Sequence, residues 1–288
     1  MVKELDPKKL KEYDKVVGNL ESTYINDFFK LDDYDFEIFS TIRYDPLLVD
    51  LETFTKILND VDNSIDNSNL FFLFDEHFHR ICFSLQFFKW NFKLTRAQFL
   101  KKLNESLAPL NKSNSYRIKV IVSKRGEVKI MVTDTPQRFN LMDGFNTLAN
   151  YASPFWSVYV DTAPIHISPF TSLKTSKRDE YNKARHRVLP EPDTYGIPQE
   201  VLCFNTANQI TEGSITNIAV KGFDEKTGEQ RWYTPVLSSG CLCGVVRHML
   251  LTKGLIKEKQ IYLKDLRRDE EILLFNGLVG VVKGRIVN

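Results

Sequence analysis

Cysteine is scarce, the bulk charges nearly cancel, and long apolar runs are missing. Four cysteines (Cys82, Cys203, Cys241 and Cys243) spread unevenly over 288 residues make no disulfide framework and read as reduced thiols. Cys241-Leu242-Cys243 is a lone C-x-C with no second pair to complete a tetrahedral site. His77-Phe78-His79 would aim its two rings in different directions on a helix. No metal is therefore expected. Basic residues number 39 and acidic residues 37, leaving a net charge of +2, which gives no case for nucleic-acid binding. No run of about 18 apolar residues is present, so no membrane span is expected. The opening stretch, MVKELDPKKLKEYDKVV, is charged and lacks the apolar segment of a signal peptide. A cytoplasmic protein is the expectation.

What remains is an ordinary globular composition, 42% hydrophobic and 26% charged, with chain enough for a large core. Residues 1–33 are polar and read as an N-terminal extension. FEIFSTIRYD (36–45) is a strand ending at Pro46. Residues 47–69 are acidic and Asn-rich, a loop with a short helix, and 58–68 read as solvated surface. FFLFDEHFHRICFSLQFFKW (71–90) spaces Phe78, Ile81, Cys82, Leu85 and Phe88 for one helical face. TRAQFLKKLNESL (95–107) predicts a second helix. YRIKVIVSKRGEVKIMVTD (116–134) alternates about Arg125-Gly126 as a hairpin.

In the second half, WSVYVD predicts a strand and 172–189 a loop running into a helix. Residues 201–223 read as two strands joined by a polar turn, and QRWYTPV as a further strand. GCLCGVVRHMLLTKGL opens a helix from a Gly-containing turn, and DEEILLFNGLVGVVKGRIVN is strand, tight turn, strand. The class is α/β (mixed α+β), with hairpins rather than a βαβ series. The expected division is an N-terminal α/β domain over 1–134, a linker at 135–142 and a C-terminal domain over 143–288.

Four polar segments could carry chemistry, and each has an ordinary explanation. Lys174, in LKTSK, could be a solvated charge. Glu212 and Asn217, in ITEGSITN, could cap a hairpin. Gly244-Val245-Val246-Arg247 could be a simple turn, although a glycine before a helix also offers free N–H groups to a phosphate. Arg80, in DEHFHR, could be a surface cation.

In this order the segments closely resemble the fold type IV family of pyridoxal-phosphate enzymes. The shared pattern is H-x-x-R (His77, Arg80), the lysine (Lys174, with Lys177 where the family often has Asn), E-G-x-x-x-N (Glu212 to Asn217), Thr234-Pro235, the turn at Gly244–Arg247, and Phe275-Asn276-Gly277-Leu278. The resemblance runs from about residue 36 to the end. It implies a two-domain architecture with pyridoxal 5'-phosphate between the domains, and a homodimer. Lys174 would hold the cofactor and later shuttle protons. Glu212 would sit at the ring nitrogen and keep it protonated, oriented by Asn217. Arg80 and the N–H groups of Val245 and Val246 would hold the phosphate, with a further N–H from Gly277-Leu278. Val246 and Gly277 stand where family members often carry Thr.

Within the family, the combination IRYDP, FFLFDEHFHR, VSKRGE, FTSLKTSKRDEYNKAR, EGSITNIAV, GCLCGVVRH and LLFNGLVGVVKG is most similar to the fungal aminodeoxychorismate lyases. That likeness implies conversion of 4-amino-4-deoxychorismate to 4-aminobenzoate and pyruvate. Lys174 and Thr41 would move protons, and Arg43, Lys124 and Arg125 are the candidate cations for the substrate carboxylates. His166, His186 and His248 receive no role. The alternatives are a branched-chain or D-amino-acid aminotransferase on the same fold, and a non-catalytic binding protein.

Overall fold

Two unequal sheets, each with its own apolar core, organise the computed structural model, which describes residues 35–60, 65–190, 196–224 and 226–288. The expected extension at 1–33 lies outside these residues, as do residues 61–64 of the acidic loop.

The smaller sheet is antiparallel, in the order β1 (Ile38–Tyr44), β2 (Tyr116–Val122), β3 (Val128–Asp134). Between β1 and β2 lie helices α1 (Leu51–Leu58), α2 (Phe74–Phe87) and α3 (Arg96–Leu107). Thr95 starts α3 with a capping box closed by Gln98. Period-2 alternation divides the sheet's faces. Ile38, Ile42, Tyr44, Ile118, Val120 and Val122 enter a core shared with Phe74, Ile81, Phe99 and Leu103. Phe39, Thr41, Arg43, Arg117 and Lys119 take the opposite parity.

The expected apolar stripe of α2 is half the story. Ile81, Leu85 and Phe88 are buried, whereas Phe78 and Cys82 are only partly so. A second stripe, His77, Arg80 and Ser84, is also buried, and its first two members bond to Ser40 on β1.

The larger sheet runs β6 (Ile210–Gly213), β5 (Gln199–Phe204), β4 (Trp156–Val160), β11 (Gly280–Ile286), β10 (Glu271–Asn276), β7 (Asn217–Phe223), β8 (Gln230–Pro235), β9 (Lys257–Lys259). Residues 201–223 therefore hold three strands rather than the two expected, because ITEG forms its own pair with β5. Two parallel connections also depart from the all-hairpin reading. Helices α4 (Pro169–Ser172) and α5 (Asp179–Val188) cross from β4 to β5, and α6 (Val245–Thr252) crosses from β8 to β9. The three-residue strand β9 is fully exposed and has no apolar pattern by which it could be read.

Strands β6 and β7 lie five steps apart in this order, about 24 Å in a flat sheet. Only residues 214–216 join them, and such a connector reaches about 14 Å at full extension. The sheet must therefore roll up, and it does, with the Gly213 N–H donating to Thr216 O at 2.8 Å. Val158, Leu202, Ile218, Ile272, Leu274 and Val282 fill one side. The alternate residues Ala219, Leu273, Phe275 and Val281 pack under α6.

Phe170 joins the two units. It leaves α4 and inserts into the smaller core, 4.9 Å from the ring of Phe36. Four residues later the backbone docks on the edge of β1. The Phe39 N–H donates to Lys174 O at 3.0 Å, and the Ser176 N–H donates to Glu37 O at 2.8 Å. Lys174 is thereby fixed between the sheets.

Candidate active site

A cavity of about 340 Å³ opens where the two sheets meet. Phe39, Thr41, Arg117 and Lys119 line it from the smaller sheet, and Lys174, Glu212, Asn217, Gly244, Val245 and Gly277 from the larger unit, while Arg80 reaches it from α2.

Lys174 is half-buried, and its Nζ stands 5.3 Å from the centre of the Phe39 ring. Burial, then the charges of Arg178 and Arg80, push its amine down from 10.5 to about 7, against the pull of Glu212 and Glu200. An amine in that range is largely unprotonated just above neutrality, the state a nucleophile needs.

Glu212 is buried at the end of β6. Its Oε1 accepts from the Tyr181 hydroxyl at 2.5 Å and from the Leu242 N–H at 3.1 Å, and its Oε2 accepts from Asn217 Nδ2 at 3.0 Å. Burial raises its carboxyl from 4.5 to about 7, against those donors and the charges of Lys174 and Arg178. Asn217 also donates to Leu242 O at 3.0 Å, which locks the amide between carboxylate and turn. Gly244 lies so close to the Asn217 Oδ1 that no side chain fits there.

Across the cavity, α6 begins at Gly244 with no side-chain cap. The orphan N–H groups of its first turn form an anion seat. Arg80 stands near it, with its Nη2 donating to Ser40 Oγ at 2.7 Å. The Ser40 hydroxyl in turn meets His77 Nδ1 at 2.7 Å. Burial, then the charges of Arg80 and Lys174, hold His77 well below its ordinary 6.5 and therefore neutral. Thr175 lines the cavity with a buried hydroxyl that has no hydrogen-bond partner among the described residues.

Thus Lys174, Thr41, Arg80, Glu212, Asn217, Val245 and Gly277 come together as lining residues. Val246 does not line the cavity; its side chain packs under α6, leaving only its backbone for the anion seat. Leu278 lines the cavity, and its N–H donates to Asn276 Oδ1 at 2.8 Å.

The three expected substrate cations are elsewhere. Arg43 is 1% exposed and clasps Asp45, Pro136 O and Leu278 O, tying β1 to the segment after β3 and to the β10–β11 turn. Lys124 and Arg125 sit at the exposed β2–β3 tip and do not line the cavity. Besides Lys174 and Arg80, the cations that do are Arg117 and Lys119, two residues apart on the open face of β2, and Arg178 just before α5. Their signal was in the sequence: in YRIKV, Arg and Lys alternate with residues of the buried face.

Ser214 and Thr216, between Glu212 and Asn217, serve another carboxylate. Glu200, completely buried on β5, accepts from Ser214 Oγ at 2.6 Å and Thr216 Oγ1 at 2.7 Å. The Ile215 N–H reaches the same group at 3.2 Å. Glu200 therefore pins the β6–β7 turn on which Glu212 and Asn217 are mounted.

An amine, a buried acid and an anion seat match the three polar ends of pyridoxal 5'-phosphate, and the orphan Thr175 hydroxyl and the bare helix start leave polar groups for a ligand to satisfy. Comparison with known proteins agrees with this arrangement. The chain is 34% identical over 253 residues to the aminodeoxychorismate lyase of Saccharomyces cerevisiae, covering 75% of this chain and 67% of that protein. A relative from Schizosaccharomyces pombe is 34% identical over 123 residues, spanning 42% of this chain and about half (49%) of that protein. Among solved structures, the 4-amino-4-deoxychorismate lyase of Pseudomonas aeruginosa superposes with a TM-score of 0.57 at 15% identity, covering 88% of this chain and 83% of that one. The branched-chain aminotransferase of Thermoproteus uzoniensis gives 0.59 at 17%, covering 89% and 81%. At such identities the likeness is one of fold. The sequence model described as amino-transferase class IV matches residues 60–287, from before α2 to the last strand, and the chain belongs to that family.

Proposed function

We propose that this chain is an aminodeoxychorismate lyase that uses pyridoxal 5'-phosphate to split 4-amino-4-deoxychorismate into 4-aminobenzoate and pyruvate. The observation that carries the reading is the meeting, in one cavity, of a lysine amine at about 7, a buried carboxylate with three donors, and cations on a separate wall. The 34% identity to the yeast lyase supports the choice of reaction.

Lys174 would hold the cofactor covalently, Glu212 its ring nitrogen, and Arg80 with the N–H groups of Val245 and Val246 its phosphate. Bound there, the cofactor supplies an electron sink for charge developing at the substrate carbon that bears nitrogen. Lys174, once released, takes the proton from that carbon; its near-neutral amine suits it to accept and return a proton. Loss of the enolpyruvyl group makes the substrate ring aromatic, which drives the elimination. The departing enol needs a proton, and Thr41, on the cavity wall and paired with Lys119 across β1–β2, would provide it. Lys119 and Arg117 would bind the substrate's two carboxylates; Lys119 Nζ lies 4.9 Å from the Phe39 ring. A homodimer and a cytoplasmic location belong to the same reading. Phe139 and Leu148, 91% and 63% exposed between the two sheets' segments, are apolar surface that a second copy would cover.

The test is to incubate the purified holoenzyme with 4-amino-4-deoxychorismate and follow 4-aminobenzoate fluorescence together with pyruvate, beside Lys174→Ala. Equimolar products that vanish in the variant are expected. A yellow protein giving no product, yet exchanging amino groups between amino acids and 2-oxo acids, would make it an aminotransferase. A colourless one would make it a binding protein.

A further inference from the structure

We propose that Tyr181 is a positioning residue for Glu212, committing one carboxylate oxygen so that the other is presented as the acceptor for a protonated ring nitrogen. The inference deepens the function proposed above and rests on it. Tyr181 lies on α5, within the FTSLKTSKRDEYNKAR stretch but given no role by the sequence, and 31 residues from its partner.

A carboxylate offers about four acceptor positions. On Oε1 both are taken, by the Tyr181 hydroxyl and the Leu242 N–H. On Oε2 Asn217 takes one, and the last is open on the residue that lines the cavity. The tyrosine donor is the short one, 2.5 Å, and it is buried. It is also a permanent donor: burial, then the charge of Glu212 itself, hold the phenol well above 10, so it never competes as an anion. Its ring is wedged between Arg178, whose guanidinium carbon lies 5.0 Å from the ring centre, and the small core formed with Ile165, Ala184, Val201 and Cys203.

The other ionisable groups around Glu212 cannot replace this donor. Lys174 and Arg178 act on it by charge. Arg178 itself donates to Ser214 O at 2.5 Å. Cys203, paired with Glu212 across β5–β6, and Cys241 beyond the turn are both buried thiols pushed upward and kept neutral. Removing the tyrosine hydroxyl leaves a buried carboxylate short of one charge-assisted bond. It then takes up a proton more readily and presents an O–H where an acceptor is needed.

The test compares two ligands on the apoprotein: pyridoxal 5'-phosphate and its 1-deaza analogue, in which a C–H replaces the ring nitrogen. Equilibrium dissociation constants are measured from pH 6 to 9 for the native chain and Tyr181→Phe. Lys174 and the phosphate seat contribute equally to both ligands, so the ratio of the two constants isolates the nitrogen partner. The expected result is a preference for the nitrogen ligand that falls about tenfold in Tyr181→Phe, with its pH dependence moved upward by about one unit. An unchanged ratio, or equal weakening of both ligands, would overturn the proposal and make Tyr181 merely a core residue. If the native chain binds neither ligand, the cofactor reading fails and the inference with it. Should Tyr181→Phe fail to fold, 3-fluorotyrosine at the same position keeps the shape and strengthens the donor. It must then raise the preference, and a ratio that stays level or falls refutes the role.

Discussion

The amine of Lys174 should be visible in the protein's stability before any cofactor is added. The folded chain holds it at about 7, the unfolded chain at the ordinary 10.5. Between those values the unfolded chain binds a proton that the folded one does not, so unfolding becomes harder as pH rises through that window. The separation is three and a half decades, about 5 kcal/mol in full. Coupling to Glu212 and the partial exposure of the side chain reduce this to about 2–3 kcal/mol. Lys174→Met keeps most of the stem and removes the charge. The variant apoprotein should therefore be more stable than the native one by about 2–3 kcal/mol at pH 7. That advantage should shrink steadily toward pH 9.5. The assay is urea unfolding of both apoproteins at half-unit steps of pH, with unchanged m-values as the check on compactness. A parallel pair of curves, with no convergence above pH 7, would refute the claim that the cavity depresses this amine.

Glu212 imposes the opposite slope. Its folded carboxyl, near 7, binds a proton between 4.5 and 7 that the unfolded one releases, so native stability falls as pH rises through that range; Glu212→Gln should flatten the fall in the same unfolding series. Gly277→Ala should cost about 1–3 kcal/mol, because the added methyl would lie 2.6 Å from the imidazole of His77 and 3.1 Å from Thr41 O; calorimetric melting of the variant checks it. Lys119→Ala should raise KM for 4-amino-4-deoxychorismate about 10- to 100-fold with a smaller effect on kcat, the mark of a lost carboxylate contact. Thr41→Val should slow turnover while cofactor affinity holds; an unchanged kcat would remove Thr41 from the reaction.

What could be read in the sequence was whatever is local. Glu212 and Asn217 flank one turn, Gly244 opens one helix, and His77 and Arg80 are one turn apart on another, so short spacing fixed their relation before any fold was known. The alternation about Arg125-Gly126 likewise gave the β2–β3 hairpin, because Gly126, at φ +84°, supplies the left-handed backbone that its turn needs. Arg43, Lys124 and Arg125 do not line the cavity, because charge alone does not say which way a side chain points. Arg43 has the open-face parity but is spent on Asp45 and two carbonyls, and Lys124 and Arg125 lie beyond the end of the sheet. Arg117 and Lys119 could have been chosen instead by asking which cations alternate with buried residues on the strand beside Thr41.

Glu200 and Tyr181 were beyond that kind of reading. Their roles depend on the roll of the larger sheet, which brings β5, β6, α5 and the 214–216 turn to one place, and no spacing in the chain encodes the roll. It follows from pairing order and from a connector too short to cross a flat sheet. A glutamate inside the buried run of QEVLCF was nonetheless a clue, since a carboxylate completely enclosed on a strand must find donors. It finds them in Ser214 and Thr216, in the turn between Glu212 and Asn217. The opening polar cluster of β6 and β7 thus serves two carboxylates rather than one. Glu200 fixes the turn, and the turn aims Glu212. Glu200→Gln should therefore weaken binding of pyridoxal 5'-phosphate without touching the cavity, because one of its two hydroxyl donors would meet an amide N–H instead of an acceptor.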